Sequence, residues 1–376
     1  MTKYLHIVCP EIPNPSSAAD TTDTYFQLQF LHEAGYQVML HCFHDETNTD
    51  TTHLENITAQ IHLYERNQGH KGVSIRHPYC ISSRSNPLLL ENLFQHFCPV
   101  LFQGTTATFC LPELVEKGYK IIVRINGIAS ELYESNTKCE KSLLKKAYAF
   151  NEARLIRKWE EKISEHAIII TTTISDQQKF QQLYKGARTA HIASFLPVPE
   201  IKSKPGTGMY CLYFGDMMNP ENEKMVHWLS DNIFRKITVP LIVADICSTI
   251  KLQDQPHHPE SNICMVSNPS EEALTELIQK AQIVLLPRCH NSGFDKRLLQ
   301  ALEKGRHCIC NDVMIHDTGL EKLFILASDN EEIIDAINIY FSQPFTDQDI
   351  CERKALLCAS YTARKSLNEF VKIIDE

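Results

Sequence analysis

The stretch VLLPRCHNSGFDKRLLQALEKGRHCICN, residues 284–311, decides the fold class of this chain. Its apolar start predicts a short strand over 284–287, and its end predicts another strand that begins at Cys308. Between them, apolar residues at helical spacing predict a helix over 294–304, which Gly305 ends. Strand, glycine loop, helix and strand form a parallel βαβ unit, whose ligand end is the loop at the helix N-terminus.

The loop of this unit, residues 288–293, has the features of an anion-binding turn. Unpaired backbone N–H groups and the helix dipole favour a phosphate at a helix N-terminus, and Gly293 allows the backbone to approach it closely. Arg288, Lys296 and Arg297 would add positive charge there. An ordinary strand-to-helix turn is the alternative interpretation, because a lone glycine-rich turn is a weak signal.

Composition places the chain among ordinary globular proteins and gives no support for a nucleic-acid partner. Its 376 residues are 43% hydrophobic and 22% charged, and the formal net charge is −9. The cysteines lack a CxxC pair, so we expect no metal site. The chain has neither a secretory leader pattern nor an apolar run of about 18 residues, which predicts a cytoplasmic protein and leaves peripheral membrane contact open.

A linker divides the chain into two halves. Residues 197–208, PVPEIKSKPGTG, hold three prolines and two glycines, and the alternation of strands and helices starts again after them. We therefore predict one α/β domain over 1–196, a second over 209–352, and a terminal helix over 353–376 that returns to the first domain. Two such domains are expected to face each other across a cleft and to bind a ligand at the carboxyl ends of their strands.

Four stretches carry a resemblance to a known family. They are IPNPSSAADTTDTYFQLQFLHEAGYQVMLHCF (12–43), VRINGIASELY (123–133), LYFGDMMNPENEKMVHWLSDNIF (212–234) and NSGFDKRLLQALEKGRHCICND (291–312). In content, order and spacing they resemble the motifs of GT-B glycosyltransferases of the family-4-like group. The chain is most similar to the Bacteroidetes enzymes labelled hexosyl- or mannosyltransferases, and the resemblance covers nearly its whole length.

The resemblance implies two Rossmann-like domains and the transfer of a hexose from a UDP- or GDP-linked sugar to a glycan or lipid-linked acceptor. It also implies a retaining reaction without a metal or other cofactor, with the nucleotide held by the C-terminal domain. At the catalytic motif it places Asn126, whose amide can hydrogen-bond a sugar hydroxyl but cannot act as a base. On the donor side it implies contacts from Gly215, Arg288, Asn291, Ser292, Gly293, Phe294, Lys296, Arg297 and Gln300.

Several positions depart from the family's pattern, and each departure removes a charge, a proton carrier or a close backbone approach. Ala19 and Asp20 stand in place of the family's first-loop Gly-Gly pair, and Asn126 and Ala129 in place of its central histidine and glutamate. Ser292 and Gln300 stand in place of its carboxylate pair. Asp295 replaces a lysine, and Asp245 replaces a glycine. Asp20 and Asp295 would repel a diphosphate. The departures favour an alternative, a catalytically impaired GT-B protein that binds or scaffolds a partner glycosyltransferase. A nucleotide-sugar epimerase, the third hypothesis, lacks a matching histidine and carboxylate set.

Overall fold

The computed structural model describes residues 2–15, 21–45, 49–74, 76–139, 143–197, 199–246, 262–290, 293–360 and 363–376. The chain forms two compact units. The first consists of Met1–Pro197, Ser292–Phe294 and Thr362–Glu376, and the second of Val198–Asn291 and Asp295–Tyr361. Each unit is built on one parallel sheet, which confirms the predicted α/β class with two parallel sheets.

The sheet of the first unit has seven parallel strands. They are β1 (Lys3–Cys9), β2 (Tyr36–His44), β3 (Gln60–Glu65), β4 (Val100–Gln103), β5 (Ile121–Ile125), β6 (Ile168–Thr171) and β7 (Arg188–His191). Their order in the sheet is β3-β2-β1-β4-β5-β6-β7. Every residue of β4 and β5 is buried, as the apolar runs of a parallel sheet covered on both faces require.

Helices connect these strands and cover the sheet. They are α1 (Thr21–Glu33), α2 (Tyr79–Ser82), α3 (Pro87–Leu93), α4 (Leu111–Glu116), α5 (Ala129–Cys139), α6 (Leu143–His166) and α7 (Ile174–Leu183). The register places Ile125, the last residue of β5, beside Thr171, the last residue of β6. The residues that follow these two strands therefore meet at one edge of the sheet.

The second unit has six parallel strands, and their order is β10-β9-β8-β11-β12-β13. The strands are β8 (Cys211–Gly215), β9 (Leu241–Asp245), β10 (Ile263–Ser267), β11 (Ile283–Leu285), β12 (His307–Cys310) and β13 (Ile325–Leu326). The helices are α8 (Pro220–Leu229), α9 (Glu271–Lys280), α10 (Arg297–Lys304), α11 (Asp312–Ile315), α12 (Asn330–Phe341) and α13 (Asp347–Ser360). β11 pairs in parallel with β12, and α10 lies between them in the sequence, as the stretch 284–311 predicted.

Two helices differ in extent from their predictions. The helix expected over 294–304 begins at Arg297, so Phe294 and Asp295 precede it. The terminal stretch predicted over 353–376 begins earlier, because α13 covers Asp347–Ser360 and lies in the second unit. The last helix, α14 (Ala363–Asp375), belongs to the first unit, where Phe370 packs edge-on against Phe195 at 5.7 Å between ring centroids.

Buried histidines form a hydrogen-bonded chain across the first sheet. His6 Nε2 donates to the His96 carbonyl oxygen (3.0 Å), because a carbonyl can only accept. His6 Nδ1 then accepts from His41 Nε2 (2.9 Å), and His41 Nδ1 accepts from the Tyr64 hydroxyl (2.9 Å). These are the roles of two neutral imidazoles. Burial lowers the pKa of His6 to about 4 and the pKa of His41 well below its ordinary value.

Acid is expected to destabilise the protein through these histidines. Because their pKa values are lowered in the folded state, the unfolded chain takes up protons first as the pH falls below about 6.5. Stability that is present above that pH is lost progressively until the pH reaches about 4 for His6. For His6 alone the loss at about pH 5 amounts to about 2 kcal/mol, measurable by urea unfolding at a series of pH values.

Substitution of His6 tests whether these histidines cause the pH dependence of stability. His6→Gln is expected to flatten the dependence of unfolding free energy on pH between about 6.5 and 5. His227→Gln, at an exposed histidine of α8, is the matched control and is expected to leave the dependence unchanged. Equal pH dependence in both variants would contradict the assignment.

Candidate functional site

At the carboxyl edge of the second sheet, backbone N–H groups donate hydrogen bonds to carboxylates of the chain itself. Asp245, the last residue of β9, accepts a hydrogen bond from Met217 N (3.1 Å). Asp216 accepts one from Met218 N (2.8 Å). The loop after β8 is therefore held by side chains of the second unit, and Asp245 is one of them.

Glu221 holds the loop that follows β11. Its Oε1 atom accepts from the backbone N–H groups of Cys289 (3.1 Å) and His290 (3.0 Å), and its Oε2 atom lies 3.5 Å from Arg288 Nε. Only 9% of the Glu221 side chain and 16% of the Arg288 side chain are exposed. Two of the N–H groups that were expected to face a phosphate therefore face a buried carboxylate in this structure.

Asp295 and Arg297 form a buried ion pair beside the start of α10. Arg297 Nη2 lies 2.7 Å from Asp295 Oδ2, Nε lies 3.1 Å from both carboxylate oxygens, and the backbone N of Arg297 donates to Oδ1 (2.9 Å). Burial alone would raise the pKa of Asp295, but the Arg297 guanidinium holds it at about 2. The expectation that Asp295 repels a diphosphate is thus corrected, because its charge is balanced within the protein.

Arg297 also binds the end of β8. Its Nη1 atom donates to the Phe214 carbonyl oxygen (3.0 Å) and to Asn222 Oδ1 (3.3 Å). A Cβ atom on Gly215 would lie 2.6 Å from Nη1, so a larger residue there would displace the guanidinium. Arg297 and Gly215 were both predicted to contact phosphate. In the structure, the contacts that explain these two residues are contacts with each other and with neighbouring protein groups.

Gly293 and Phe294 lie between β11 and α10 in the sequence, but they belong to the first unit. Gly293 N donates to Asp176 Oδ2 (2.9 Å), and Phe294 N donates to Asn126 Oδ1 (2.7 Å). Gly293 has a φ of +65°, and a Cβ atom there would lie 2.5 Å from Asn126 Oδ1. Glycine is therefore required at 293 by backbone conformation and by the close approach of Asn126.

Asn126 follows β5 and is held in one orientation. Its Oδ1 atom also accepts from Thr172 Oγ1 (2.7 Å), and its Nδ2 atom donates to the Phe294 carbonyl oxygen (3.3 Å). The second support of this loop, Asp176, accepts from the hydroxyl of Thr173, the N-cap residue of α7 (2.7 Å). The residue predicted at the catalytic position thus positions Phe294 through two hydrogen bonds.

Sequence reasoning missed a further buried ion pair in the first unit, between Asp23 of α1 and Arg124 of β5. Asp23 Oδ1 also accepts from Ser194 Oγ (2.5 Å) and from Phe195 N (2.5 Å). The Arg124 guanidinium lies 5.0 Å from the centre of the Phe195 ring. A charged residue inside the otherwise apolar strand 121–125 is the sequence signal that could have identified this pair.

The other residues predicted to contact the nucleotide-sugar donor are either outside the described residues or half-buried at α10. Asn291 and Ser292 lie outside the described residues, as do Ala19 and Asp20 of the first loop. Lys296 is the N-cap residue of α10 and half-buried, and Gln300 is half-buried one turn further along. Their contacts with a nucleotide stay predictions.

The described residues form neither a metal-ligand cluster nor a helix able to span a membrane. Among the described residues, no cluster of three or more His, Cys, Asp or Glu side chains is arranged to hold a metal ion. Within the same ranges, no helix combines the length and the apolar character needed to cross a membrane.

Solved structures match the fold of this chain along nearly its whole length. Sucrose-phosphate synthase from Thermosynechococcus elongatus matches with a TM-score of 0.69 and 11% identity over 99% of this chain and 98% of its own. TarM matches with a TM-score of 0.70 and 8% identity over 100% and 99%. HepE from Anabaena, solved in complex with UDP and glucose, matches with a TM-score of 0.64 and 12% identity over 99% of both chains.

The chain has the GT-B fold. This confirms the predicted fold class, because glycosyltransferases of this fold share its two parallel-sheet units. No protein-family model matches the sequence, and no curated protein matches it either. Sequence identities near one residue in ten support the GT-B fold alone, so membership of the family-4-like Bacteroidetes group stays a prediction.

Substitution of Asp295 tests the buried ion pair. Asp295→Lys is expected to destabilise the protein by about 3–5 kcal/mol, because it leaves two positive charges buried without a partner. Thermal unfolding measures the change. Glu276→Lys breaks an exposed pair with Lys280 and is the matched control, with an expected loss below about 1 kcal/mol. Equal melting temperatures in the two variants would refute the role assigned to Asp295.

Proposed function

We propose that this chain is a glycosyltransferase that moves a hexose from a UDP- or GDP-linked sugar to a glycan or lipid-linked acceptor in the cytoplasm. In this proposal the transfer retains the configuration of the sugar and needs no metal ion. The observation that carries the proposal is the GT-B fold along the whole chain, which HepE, solved with UDP and glucose, shares. The sequence motifs that resemble donor and acceptor motifs of glycosyltransferases support it independently.

The donor side of the proposed site is the carboxyl edge of the second sheet, where parallel sheets bind ligands. Arg288 is the cation that best suits a diphosphate there, because it shares its partner, Glu221, with the N–H groups of Cys289 and His290. A diphosphate that displaces Glu221 would gain one guanidinium and two backbone donors. Donor binding in this proposal is an exchange of one internal carboxylate for the ligand.

The acceptor side of the proposed site lies in the first unit, around Asn126. Because an amide cannot take up a proton at neutral pH, Asn126 acts by positioning rather than as a base. It fixes the backbone of Phe294, and Asp176 fixes the backbone of Gly293. Asn126→Ala is therefore expected to weaken transfer by loosening residues 293–294.

A second candidate function is a GT-B pseudoenzyme that serves as partner or scaffold of an active glycosyltransferase. The specific observation in its favour is that Asp245, Glu221 and Asp295 already accept hydrogen bonds at the edge where a diphosphate would bind. An internal carboxylate competes with a ligand phosphate for the same donors. If that competition always favours the protein, no nucleotide binds.

Titration of UDP and GDP by calorimetry distinguishes the two candidates. Glu221→Gln is expected to tighten nucleotide binding about fivefold or more, because one competing charge is worth on the order of 1 kcal/mol or more. Arg288→Gln is expected to weaken binding by a similar factor. Lys322→Gln, at an exposed lysine of the second unit, is the matched control and should change nothing.

The outcomes separate the hypotheses. If a nucleotide binds but neither Glu221→Gln nor Arg288→Gln changes the affinity, the phosphates are not held at this edge. If neither nucleotide binds to the wild type or to any variant, the pseudoenzyme replaces the glycosyltransferase as the function of the chain. Consumption of a UDP- or GDP-hexose, measured as release of the nucleotide, tests the reaction itself.

A further inference from the structure

Arg84, which lies just after α2, is a buried arginine of the first unit. It is only 6% exposed, and it forms no ion pair with any of the described residues. Its Nε atom donates to the Pro10 carbonyl oxygen (3.2 Å), and its Nη1 atom donates to the Cys80 carbonyl oxygen (2.7 Å). A guanidinium stays protonated inside a protein, so Arg84 carries a buried positive charge that bonds neutral groups. Arginine is rarely buried in this way without a charged partner.

Two other buried arginines show how the chain usually satisfies such a group. Arg297 pairs with the carboxylate of Asp295. Arg353 uses both of its Nη atoms to donate to carbonyl oxygens at the C-terminal end of α10, where the helix dipole is negative. By contrast, the Nη2 atom of Arg84 makes no hydrogen bond within the described ranges and, unlike the sealed Nη2 atom of Arg124, has access to solvent. Arg84 therefore has a donor to spare.

A second arginine, Arg66, lies beside Arg84. Its Nε atom donates to the hydroxyl of Ser83, the residue before Arg84 (3.3 Å). Burial, followed by the positive charge of Arg66, lowers the pKa of Arg84. The exposed carboxylates of Glu11 and Asp45 act in the opposite direction, but in the described parts of the chain neither pairs with an arginine. The two guanidiniums repel each other, and an anion bound by both would relieve that repulsion.

Both arginines lie at the carboxyl edge of the first sheet. Pro10, whose carbonyl oxygen Arg84 binds, directly follows β1, which ends at Cys9. Arg66 directly follows β3, and its backbone N donates to the carbonyl oxygen of His44, the last residue of β2 (3.1 Å). This edge is where parallel sheets bind their ligands.

Hydrogen bonds fix the backbone that carries the two arginines. Asn67, the residue after Arg66, donates from its backbone N to the Ser83 carbonyl oxygen (2.7 Å). Its Nδ2 atom donates to the carbonyl oxygen of Ser85, the residue after Arg84 (2.8 Å). The loop after β3 and the segment after α2 are thus joined next to both arginines. A ligand that binds there meets charges already in place, which lowers the entropy cost of binding.

We infer that Arg84 and Arg66 form a binding site for the phosphate group of a small molecule. The Nη2 atom of Arg84 and the guanidinium of Arg66 are the donors, and guanidinium groups match the oxygens of a phosphate in geometry. Phosphate suits the pair better than a carboxylate does, because its charge of about −1.5 to −2 at neutral pH balances two arginines. The inference does not depend on the proposed transferase activity, whose donor side lies in the second unit.

Thermal unfolding of the full chain with added ligands tests this site. At constant ionic strength, inorganic phosphate and glucose 6-phosphate at about 20 mM are each expected to raise the melting temperature, because a ligand that binds the folded state stabilises it. Glucose, which lacks the charge, is expected to leave it unchanged. A larger rise with glucose 6-phosphate assigns the site to a phosphorylated sugar, and equal rises assign it to the free ion. The dependence on ligand concentration gives the affinity.

Variants connect the rise to the two arginines. Arg84→Gln is expected to lower the phosphate affinity about tenfold or more and Arg66→Gln about fivefold, since each removes a charge-assisted contact. Arg84→Lys keeps the charge without the planar fork and is expected to recover part of the affinity. Arg154→Gln is the matched control, because Arg154 is an exposed arginine of the same unit that bonds the neutral Asn151, and wild-type affinity is expected.

The phosphate-induced rise distinguishes a binding role from a structural one. If Arg84 only supported the fold, Arg84→Gln would lower the melting temperature without phosphate but keep the rise that phosphate produces. Arg66→Gln provides the same test at a half-buried position, where substitution is less damaging to the fold. UDP affinity, measured by calorimetry, is expected to be unchanged in both variants.

Three results would overturn the inference. The first is a wild-type melting temperature that neither phosphate nor glucose 6-phosphate raises. The second is a phosphate-induced rise that both Arg84→Gln and Arg66→Gln retain in full. The third is an equal loss of UDP and phosphate affinity in Arg84→Gln, which would make this arginine part of the nucleotide site.

Discussion

The structure depends on how backbone N–H groups are satisfied where parallel strands end. These groups cannot bond to a neighbouring strand, and burial without a partner costs more than the bond itself is worth. Here the partners are carboxylates of the chain. Asp245, Asp216 and Glu221 hold the loops of the second unit, and Asp176 holds Gly293 in the first. One type of contact therefore fixes these loops.

These carboxylates also determine where the cations of the second unit point. The Arg297 guanidinium is bound by Asp295 and donates to the Phe214 carbonyl oxygen. Gly215, which has no side chain, leaves space for it. Arg288 is held less tightly by its carboxylate partner, because its 3.5 Å separation from Glu221 is longer than that of a strong charge-assisted bond. The sequence analysis gave both arginines the same role, but their surroundings in the structure differ. Arg297 is bound within the protein, whereas Arg288 is the cation that binds the diphosphate in the proposed function.

The fold was predictable from the sequence because it follows from local patterns. Apolar runs, helical spacing and turn residues identified the βαβ unit over 284–311 and the division of the chain, each within a window of a few tens of residues. The site was less predictable because its contacts join distant positions. Asp176 and Gly293 are 117 residues apart, and nothing in either local sequence indicates their hydrogen bond. The contact between Asp295 and Arg297 could have been predicted, since an aspartate just before a helix commonly accepts from the N–H groups that follow it.

The choice between an active transferase and a pseudoenzyme reduces to a competition between one carboxylate and a diphosphate. Glu221 is already in place, so it loses little freedom when it accepts from Cys289 and His290, whereas a ligand must be brought from solution. A nucleotide sugar has advantages that Glu221 lacks, since it carries more charge and adds contacts from its base, ribose and sugar. Each charge-assisted bond is worth roughly 1.5–3 kcal/mol, so the phosphates alone gain little from displacing a carboxylate that makes the same bonds. Binding therefore requires favourable contacts with the rest of the nucleotide sugar, and these contacts, more than the phosphate loop, decide whether this GT-B chain acts on a donor.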